Sequence, residues 1–315
     1  MTHSESQSIH RAVMVREVLD AIQPVSGGHY LDATLGGATH TMELLKHSSP
    51  DGIVLSLDVD PAAINRAQVK QSFYGKRWLI AESNFRHLKT VAQASGLAPF
   101  DGVLFDLGIS SDQLEDPAKG ISFQTDGPLD MRLGPMANDD GLTAQTIVNQ
   151  WSEKELTRLI RLYGEDSRAY FIAKAIVARR RTQPFKRTQD LAEVIAQAVP
   201  RPEHGKHIHP ATKTFQALRI AVNDELESLR IALADAFELL KDGGTLAVIS
   251  FHSLEDRIVK QTFKKYKNAH VSKKPICPKA DEIKYNPRAR SAKLRCAKKI
   301  QIQKNKVCRE PTLLP

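Results

Sequence analysis

Cysteine is scarce in this chain of 315 residues, and its three cysteines follow no recognisable pattern. Cys277, Cys296 and Cys308 are odd in number and include no CxxC pair, so the sequence indicates neither a disulfide framework nor a zinc site. Three free thiols suit a reducing compartment. No other cluster of typical metal ligands is evident, and we expect no bound metal.

Long apolar runs are also missing, and none approaches the length that a membrane span requires. The first residues, MTHSESQSIHR, contain no apolar stretch of the kind found in a secretion signal. The overall apolar and charged content is that of a globular protein with a substantial core. We therefore expect a cytoplasmic protein that makes no membrane contact.

Acidic residues are scarce in the last part of the chain. Residues 257–315 contain 18 Lys and Arg against 3 Asp and Glu, whereas the preceding residues contain 27 against 33, and the net charge is +9. This asymmetry predicts a polyanionic partner, most simply a nucleic acid. The alternative is a solvated tail that only aids solubility, and composition alone does not discriminate between the two.

The first third of the chain alternates between strand and helix patterns. Strands are predicted at residues 29–34, 52–57, 78–81 and 101–105. Helices are predicted at residues 10–22, 39–46 and 87–95, with one more beginning at Pro61. This alternation predicts an α/β fold with a parallel, doubly wound sheet.

The alternation stops after residue 143, where only helical patterns follow. These helices are predicted at residues 143–151, 153–163, 167–181 and 188–198. A helix at 217–240, a fifth strand at 245–249 and a last strand at the sheet edge at 293–303 then resume the α/β pattern. We therefore expect three parts: the first half of the core at 1–112, an active-site loop with an inserted all-helical subdomain at 113–210, and the second half of the core with the basic C-terminal segment at 211–315.

Two acids and two glycines follow the first two predicted strands. Gly36 and Gly37 permit a ligand to approach the backbone at a helix N-terminus, and Asp58 ends the second strand, where an acid accepts the hydroxyls of a ribose. The turn LGGATH lacks the third glycine of the dinucleotide fingerprint GxGxxG. With Asp32 before the turn, the pattern is closer to S-adenosylmethionine enzymes; the alternative is an ordinary βα turn beside a solvent-facing Asp58.

The fourth predicted strand ends at Asp106, and a long irregular segment follows it. Long irregular segments in compact domains are usually functional loops. At the sheet edge, Asp106 is placed to accept an N–H from a weakly nucleophilic exocyclic amine and to take up its proton, or to hold the cofactor. Ser110 and Gln113 lie in the loop that follows, and Ser110 is a further catalytic candidate. Alternatively, Asp106 caps the next helix.

Two further motifs contain candidate substrate contacts. In HPATKTFQALRIAVNDEL most residues fit an amphipathic helix that covers the sheet, but His209 and Arg219 are candidates for contacts to substrate or phosphate. In ISFHSLEDRIVK the aromatic Phe251 and His252 follow the fifth strand, at the same edge as Asp106, where they fit stacking and hydrogen bonding to a flipped base. His252 is a catalytic candidate, and its alternative role is structural hydrogen bonding.

The last motif is NPRARSAKLR, which contains Arg288, Arg290 and Arg295. Arginines at this density suit contacts to phosphate oxygens. The alternative of a solvated basic face is weakened by the scarcity of acids around the motif.

Five strings of this chain resemble, in the same order, the signatures of the bacterial S-adenosylmethionine-dependent ribosomal RNA small-subunit methyltransferase H family. They are DLGISSDQL, GISFQTDGPLDMR, HPATKTFQALRIAVNDEL, ISFHSLEDRIVK and NPRARSAKLR. The resemblance covers nearly the whole chain. It implies a Rossmann-like methyltransferase core, an inserted helical subdomain at 113–210 that serves RNA recognition, and methylation of N4 of a cytidine in the decoding region of 16S ribosomal RNA. The implied partner is a partly assembled small subunit; DNA is not expected, and a homodimer is compatible with the resemblance.

The resemblance also implies which residues bind S-adenosylmethionine. They are Gly36, Gly37, Ala38, Thr39 and His40 at the methionine end, Asp58 at the ribose, Phe85 and Gln113 on the adenine side, and Asp106 near the methyl group. The family usually has more glycine where this chain has Ala38 and Thr39. Where many amino methyltransferases have an Asn-Pro-Pro-Tyr type motif, this chain has DLGISS.

Three other functions remain open at this point. A non-catalytic RNA-binding ribosome assembly factor with a methyltransferase fold is favoured by Ala38 and Thr39. A nicotinamide-dependent oxidoreductase is disfavoured by the missing GxGxxG and by the basic C-terminal segment. A methyltransferase for DNA or another RNA is disfavoured only by the family resemblance.

Overall fold

The computed structural model describes residues 12–135, 137–138, 140–199 and 209–301. A seven-stranded sheet lies at its centre. The strands are β1 His29–Asp32, β2 Ile53–Asp58, β3 Trp78–Glu82, β4 Phe100–Asp106, β5 Leu240–Ser250, β6 Ala269–Val271 and β7 Lys293–Lys299. They lie in the order β3-β2-β1-β4-β5-β7-β6. The first five strands in this order are parallel to one another, and β7 is antiparallel to both of its neighbours. The predicted α/β fold with a parallel, doubly wound sheet is confirmed.

Helices cover the sheet and form the inserted part of the chain. They are α1 Val15–Ile22, α2 Thr39–His47, α3 Pro61–Gln71, α4 Leu88–Ser95, α5 Ser111–Glu115, α6 Ala144–Gln150, α7 Glu153–Tyr163, α8 Ala169–Arg180, α9 Thr188–Ala198, α10 Thr212–Val222, α11 Glu225–Glu238, α12 Ser253–Phe263 and α13 Ala280–Tyr285. None of the described helices is long and apolar enough to cross a membrane.

The sheet order places the carboxyl ends of β1, β2, β4 and β5 at one edge. The strand connections reverse direction between β1 and β4, and in open α/β sheets ligands bind in the crevice at this kind of reversal. Asp58 and Asp106 end two of these strands, and Asp106 pairs in register with Ile249 of β5. The side chains that the sequence places at strand ends therefore meet at one edge.

The four predicted helices of the insert are confirmed as α6 to α9, and these helices share a hydrophobic core of their own. Ile147, Ile160, Ile172 and Ile195 are fully buried in this core. Leu218 of α10 packs into the same core, so α10 joins the insert to the remainder of the core domain.

The prediction of one helix at residues 217–240 is wrong, because the structure has α10 and α11 with a break between them. Asn223 interrupts the helix: its amide donates to the Met131 carbonyl at 2.8 Å and accepts from the Leu133 amide at 2.9 Å. Asp224 then adopts a left-handed conformation with φ of 45°. The side-chain bonds of Asn223 to the loop after β4 compete with a continuous helix.

Two other predictions need correction at the ends of the described chain. The strand predicted at 293–303 exists as β7, but β6 pairs with its outer side, so β7 is not the edge strand. The first helix begins at Val15 rather than near residue 10, after Met14 in a left-handed conformation; residues 10 and 11 lie outside the described residues. Both differences depend on tertiary contacts that hydrophobic periodicity does not report.

Candidate active site

A cavity of about 580 Å³ opens at the carboxyl ends of β1, β2, β4 and β5. This volume is within the usual range for a small-molecule site. Its lining includes residues from the sheet edge, from α10 and from the segment before β7. Among the predicted site residues it contains Gly36, Gly37, Thr39, His40, Asp58, Phe85, Asp106, Ser110, Gln113, Arg219, His252, Arg288 and Arg290.

The turn after β1 lies at the bottom of this cavity and is attached to the end of β2. The Gly36 amide donates to Asp58 Oδ2 at 2.7 Å, and Gly36 has a φ of +49°, which favours glycine. Ala38 precedes α2 with a φ of 66°, in the region that costs an L-residue about 1–2 kcal/mol. No described side chain caps α2 at Ala38, so its first amides remain available to a ligand.

Asp58 is a buried carboxylate with only part of its hydrogen-bonding capacity used. Its two oxygens accept from the amides of Gly36 and Asp60, and its side chain is almost fully covered. Burial raises the pKa of Asp58 to about 6, because desolvation outweighs the two backbone hydrogen bonds. Each oxygen retains a lone pair, so Asp58 can still accept the hydroxyls of a ribose.

Asp106 lies across the cavity from Asp58 and is held by its backbone. Its amide donates to Thr34 Oγ1 at 2.7 Å, and its Oδ2 lies 3.4 Å from Nε2 of His40. Its other oxygen, Oδ1, is buried and has no hydrogen-bond partner among the described residues. A buried acceptor without a partner costs free energy, so this atom is suited to a donor supplied by a ligand.

His40 is the buried neighbour of Asp106. Burial lowers the pKa of His40, but the hydrogen bond and the negative charge of Asp106 outweigh burial and raise it above its ordinary value. A ring N–H also donates to the Val13 carbonyl. The raised pKa means that His40 is protonated more readily here than a free imidazole would be. Asp32, by contrast, is buried against Thr41 Oγ1 at 2.6 Å and is not part of the cavity lining.

Ser110 and Gln113 form a capping box at the start of α5. The Gln113 amide donates to Ser110 Oγ, the Ser110 amide donates to Gln113 Oε1, and Gln113 Nε2 donates to Asp60 Oδ2 at 3.2 Å. The Ser110 hydroxyl therefore has a structural function in this state, and its catalytic role stays a prediction. Phe85 stands edge-on to Phe105, with ring centroids 5.9 Å apart.

The turn after β5 is held by Glu255, a residue that sequence reasoning did not single out. Glu255 Oε2 accepts from the amides of Phe251 and His252 at 2.8 and 3.2 Å, and its Oε1 lies 3.1 Å from His252 Nε2. His252 is the N-cap of α12. The spacing of His252 and Glu255 is that of a capping box, which is the sequence signal that was available. Phe251 lies close to Gly108, which follows β4.

The same turn contributes to a group of three potential metal ligands. Glu225, His252 and Glu255 have ligand atoms within 4.8 Å of one another. Arg219 donates to both oxygens of Glu225 at 2.7 and 2.9 Å, however, and its buried positive charge opposes a cation there. We read the group as an ion-pair network, and the expectation of no metal stays a prediction.

The structure separates the predicted RNA contacts. Arg288 and Arg290 lie at the cavity, and Arg288 contacts Ser111 Oγ and Glu115 of α5. Arg219 also lines the cavity, but its guanidinium is engaged in the pair with Glu225. Arg295 is not at the cavity; it is buried on β7, where its Nε donates to Asp256 Oδ1 at 2.6 Å.

His209 lies beside the cavity rather than in its lining. Its ring centroid is 4.6 Å from that of Phe123, which lines the cavity, and its Nδ1 accepts from the Ala211 amide. The RNA contacts predicted for His209 and for the four arginines, Arg219, Arg288, Arg290 and Arg295, stay predictions.

Comparison with known proteins identifies the family to which the chain belongs. The model of the MraW methylase family matches residues 7–300. The chain belongs to this family. Its fold is accordingly a Rossmann-like methyltransferase core, and the predicted cofactor, S-adenosylmethionine, is confirmed. The uncapped α2, Asp58 and the unpartnered oxygen of Asp106 fit that cofactor.

Members of the MraW family with curated names are similar over nearly the whole chain. Ribosomal RNA small subunit methyltransferase H of Thermomicrobium roseum is 47% identical over 310 residues, which cover 92% of this chain and 94% of that protein. The protein of the same name from Carboxydothermus hydrogenoformans is 45% identical over 310 residues, covering 92% and 98%. Among solved structures, an rRNA methylase from Streptococcus thermophilus is similar with a TM-score of 0.45 and 10% identity, covering 92% and 98%.

Proposed function

We propose that this MraW family methylase methylates the N4 amino group of a cytidine in the decoding region of 16S ribosomal RNA, in the cytoplasm, on the assembling small subunit. The names of the two relatives described above support a ribosomal RNA substrate. The observation that carries the chemistry is the buried, unpartnered Oδ1 of Asp106 in a cavity that contains a second buried acid, Asp58.

The residues around the cavity divide between the two ends of the cofactor. Asp58 accepts the ribose hydroxyls, Phe85 and Gln113 lie on the adenine side, and the amides that begin α2 lie at the methionine end. The cofactor supplies an electrophilic methyl group on a positively charged sulfur. The protein contributes orientation and the exclusion of water, which methyl transfer requires.

Asp106 acts on the amine that is methylated. An exocyclic amine is a weak nucleophile because its lone pair is delocalised into the base. Oδ1 of Asp106 accepts an N–H from this amine, increases the electron density on nitrogen and takes up the proton that nitrogen loses. The ring of His40, with Nε2 at 3.4 Å from Oδ2, helps to hold the carboxyl group in position for this task.

Aromatic and basic side chains at the cavity supply the contacts to RNA. Phe251 and His252 line the same cavity as Asp106 and hold the extruded base. Arg288 and Arg290 contact phosphates that flank it. Whether the enzyme acts as a homodimer stays a prediction.

The decisive experiment measures methyl transfer from labelled S-adenosylmethionine to small subunits from cells that lack the endogenous enzyme. Naked 16S RNA and DNA are tested in parallel, and labelled nucleosides are identified by mass. We expect N4-methylcytidine on subunits, with a rate that falls about 10²–10⁴-fold in Asp106→Asn, because the amide cannot take up a proton. Asp101→Asn, at the opposite end of β4 where the carboxylate pairs with Lys241, is the matched control.

One observation favours a second function, a non-catalytic assembly factor. Ala38 occupies a left-handed position beside the cofactor turn, where glycine is less strained. Calorimetry separates the two functions. Binding of RNA without binding or turnover of S-adenosylmethionine would support the assembly factor and contradict the proposed reaction.

A further inference from the structure

Two exposed aromatic residues begin α8 on the outer side of the insert. Tyr170 is 45% exposed and Phe171 is 62% exposed, and their ring centroids lie 5.6 Å apart at 70°. On the preceding helix, Leu162 is 50% exposed. Large apolar side chains exposed on consecutive packed helices indicate an interaction surface rather than a core.

The exposed positions around this aromatic pair are basic. Arg158 and Arg161 are three positions apart and lie on one side of α7. Lys174 lies one turn after Tyr170 on α8. None of the three basic residues forms an ion pair with another described residue. The two acids in the intervening turn, Glu165 and Asp166, are already paired with Arg257 at 2.8 Å and with Arg168 at 2.9 Å. We call the exposed faces of α7 and α8 with these side chains the α7–α8 surface.

The α7–α8 surface is connected directly to the wall of the active-site cavity. Gln216 lines the cavity, and its side-chain amide donates to the Tyr163 carbonyl at the end of α7 at 3.1 Å. Glu165 also contacts Ser253, which immediately follows His252 of the cavity. A strand whose nucleotide occupied the cavity would therefore find the surface within reach of its neighbours.

We propose that the α7–α8 surface binds single-stranded RNA next to the target nucleotide, with bases stacked on Tyr170 and Phe171 and with phosphates at Arg158, Arg161 and Lys174. This inference rests on the proposed function and names a binding surface that it requires. Stacking on an aromatic side chain contributes about 1–3 kcal/mol per base and tolerates different sequences.

The charge of the surface selects RNA over a second copy of the chain. An isologous contact would bring Arg158, Arg161 and Lys174 of one copy close to the same cations of the other, which repel one another. A polyanion with exposed base faces matches both features of the surface, the cations and the aromatic rings.

The test measures binding of the full chain to a fluorescein-labelled single-stranded oligoribonucleotide of about a dozen nucleotides by anisotropy. We expect the double variant Tyr170→Ala/Phe171→Ala to bind this probe at least about tenfold more weakly, and a duplex RNA of the same sequence with a smaller change. Affinity for S-adenosylmethionine remains that of the wild type. Phe73→Ala removes an aromatic ring that is 85% exposed elsewhere and is the matched control.

A second variant tests the charges independently. In Arg158→Gln/Arg161→Gln we expect the slope of log affinity against log salt concentration to fall by about 1.4, since each phosphate contact on a single strand contributes about 0.7. With small subunits as substrate, the aromatic double variant raises KM and leaves kcat unchanged. Tyr170→Trp/Phe171→Trp, which retains stacking, restores KM.

Each remaining outcome contradicts one specific claim. Equal RNA affinity in Tyr170→Ala/Phe171→Ala and Phe73→Ala overturns the surface. A wild-type dimer that becomes monomeric in the double variant, with unchanged RNA affinity, also overturns it and identifies a self-association surface. If the wild type fails to methylate subunits yet its RNA affinity depends on the aromatic pair, the proposed reaction fails and the RNA surface stands.

Discussion

Asp58 and Asp106 end the two parallel strands on either side of β1 and line the same cavity, yet their surroundings suit them to different tasks. Asp58 accepts two backbone amides, and burial raises its pKa to about 6. Asp106 accepts no bond at Oδ1 from the described residues and has the imidazole of His40 at Oδ2. Two carboxylates in different environments can therefore divide the work, one for cofactor binding and one for the amine.

The first prediction concerns the pH dependence of cofactor binding. Ionised Asp58 is the better acceptor for ribose hydroxyls, so S-adenosylmethionine binds more weakly as the pH falls through about 6, by up to about tenfold per pH unit. In Asp58→Asn this dependence disappears, since an amide does not titrate. Calorimetric Kd values between about pH 8 and pH 5 test this. Parallel curves for the two proteins would count against Asp58 as the ribose acceptor.

The second prediction concerns the stability of the protein without cofactor. The pKa of folded Asp58, about 6, lies above its ordinary value of 3.8, so the folded state favours the protonated form. Its stabilising contribution is complete below the unfolded pKa and is lost as the pH rises through about 6. The difference corresponds to at most about 3 kcal/mol. We expect the free energy of unfolding of Asp58→Asn relative to the wild type, measured with urea, to be higher near neutral pH than near pH 4, on top of a pH-independent loss because the Asn amide nitrogen cannot accept one of the two backbone hydrogen bonds.

At the scale of elements, helix capping boxes help to hold the site. The same motif occurs at three helix starts that differ in how deeply they are buried. Capping boxes begin α5, α7 and α12, at Ser110, Ser152 and His252. The box on α7 is exposed, whereas Glu255 of the box on α12 is buried and fixes the backbone of Phe251 and His252 at the cavity. A local motif thus becomes part of the site where the fold buries it.

The third prediction compares these boxes. Glu255→Ala leaves two buried amides without an acceptor and lowers the free energy of unfolding by about 3 kcal/mol. Glu155→Ala, in the exposed box on α7, lowers it by at most about 1 kcal/mol, because water replaces the carboxylate. Urea unfolding measures both changes. Methyl transfer falls only in the Glu255 variant, and equal effects of the two variants would show that burial of the box does not matter.

At the scale of the molecule, the basic C-terminal segment has two different functions. Its first part brings Arg288 and Arg290 to the cavity. Its second part joins the sheet as β7. There Arg295 is buried and forms an ion pair with Asp256. The arginines of this segment are therefore divided between the rim of the cavity, where we propose contacts to RNA, and the interior of the fold.

The fourth prediction separates these functions. Arg295→Ala removes the buried partner of Asp256, which then keeps only Lys293 at 3.5 Å, and lowers the free energy of unfolding by about 1.5–3 kcal/mol. Arg290→Ala, at an exposed position, changes stability by less than about 0.5 kcal/mol but weakens RNA binding. Denaturant unfolding and anisotropy on each variant check both effects. Equal stability losses, or RNA binding that depends on Arg295 alone, would contradict this division.

The sequence by itself determined the features that depend on local pattern. Strand and helix periodicity predicted the alternating core and the helices α6 to α9, and the rule that parallel strands end at one edge brought Gly36, Asp58 and Asp106 to one cavity. These follow from spacing along the chain. Only the tertiary structure decided which groups surround each side chain: the bonds of Asn223 that divide α10 from α11, and the strand β6 outside β7. The burial of Arg295 and the raised pKa of Asp58 were also decided only by the tertiary structure, because hydrogen bonding and desolvation depend on residues distant in the chain.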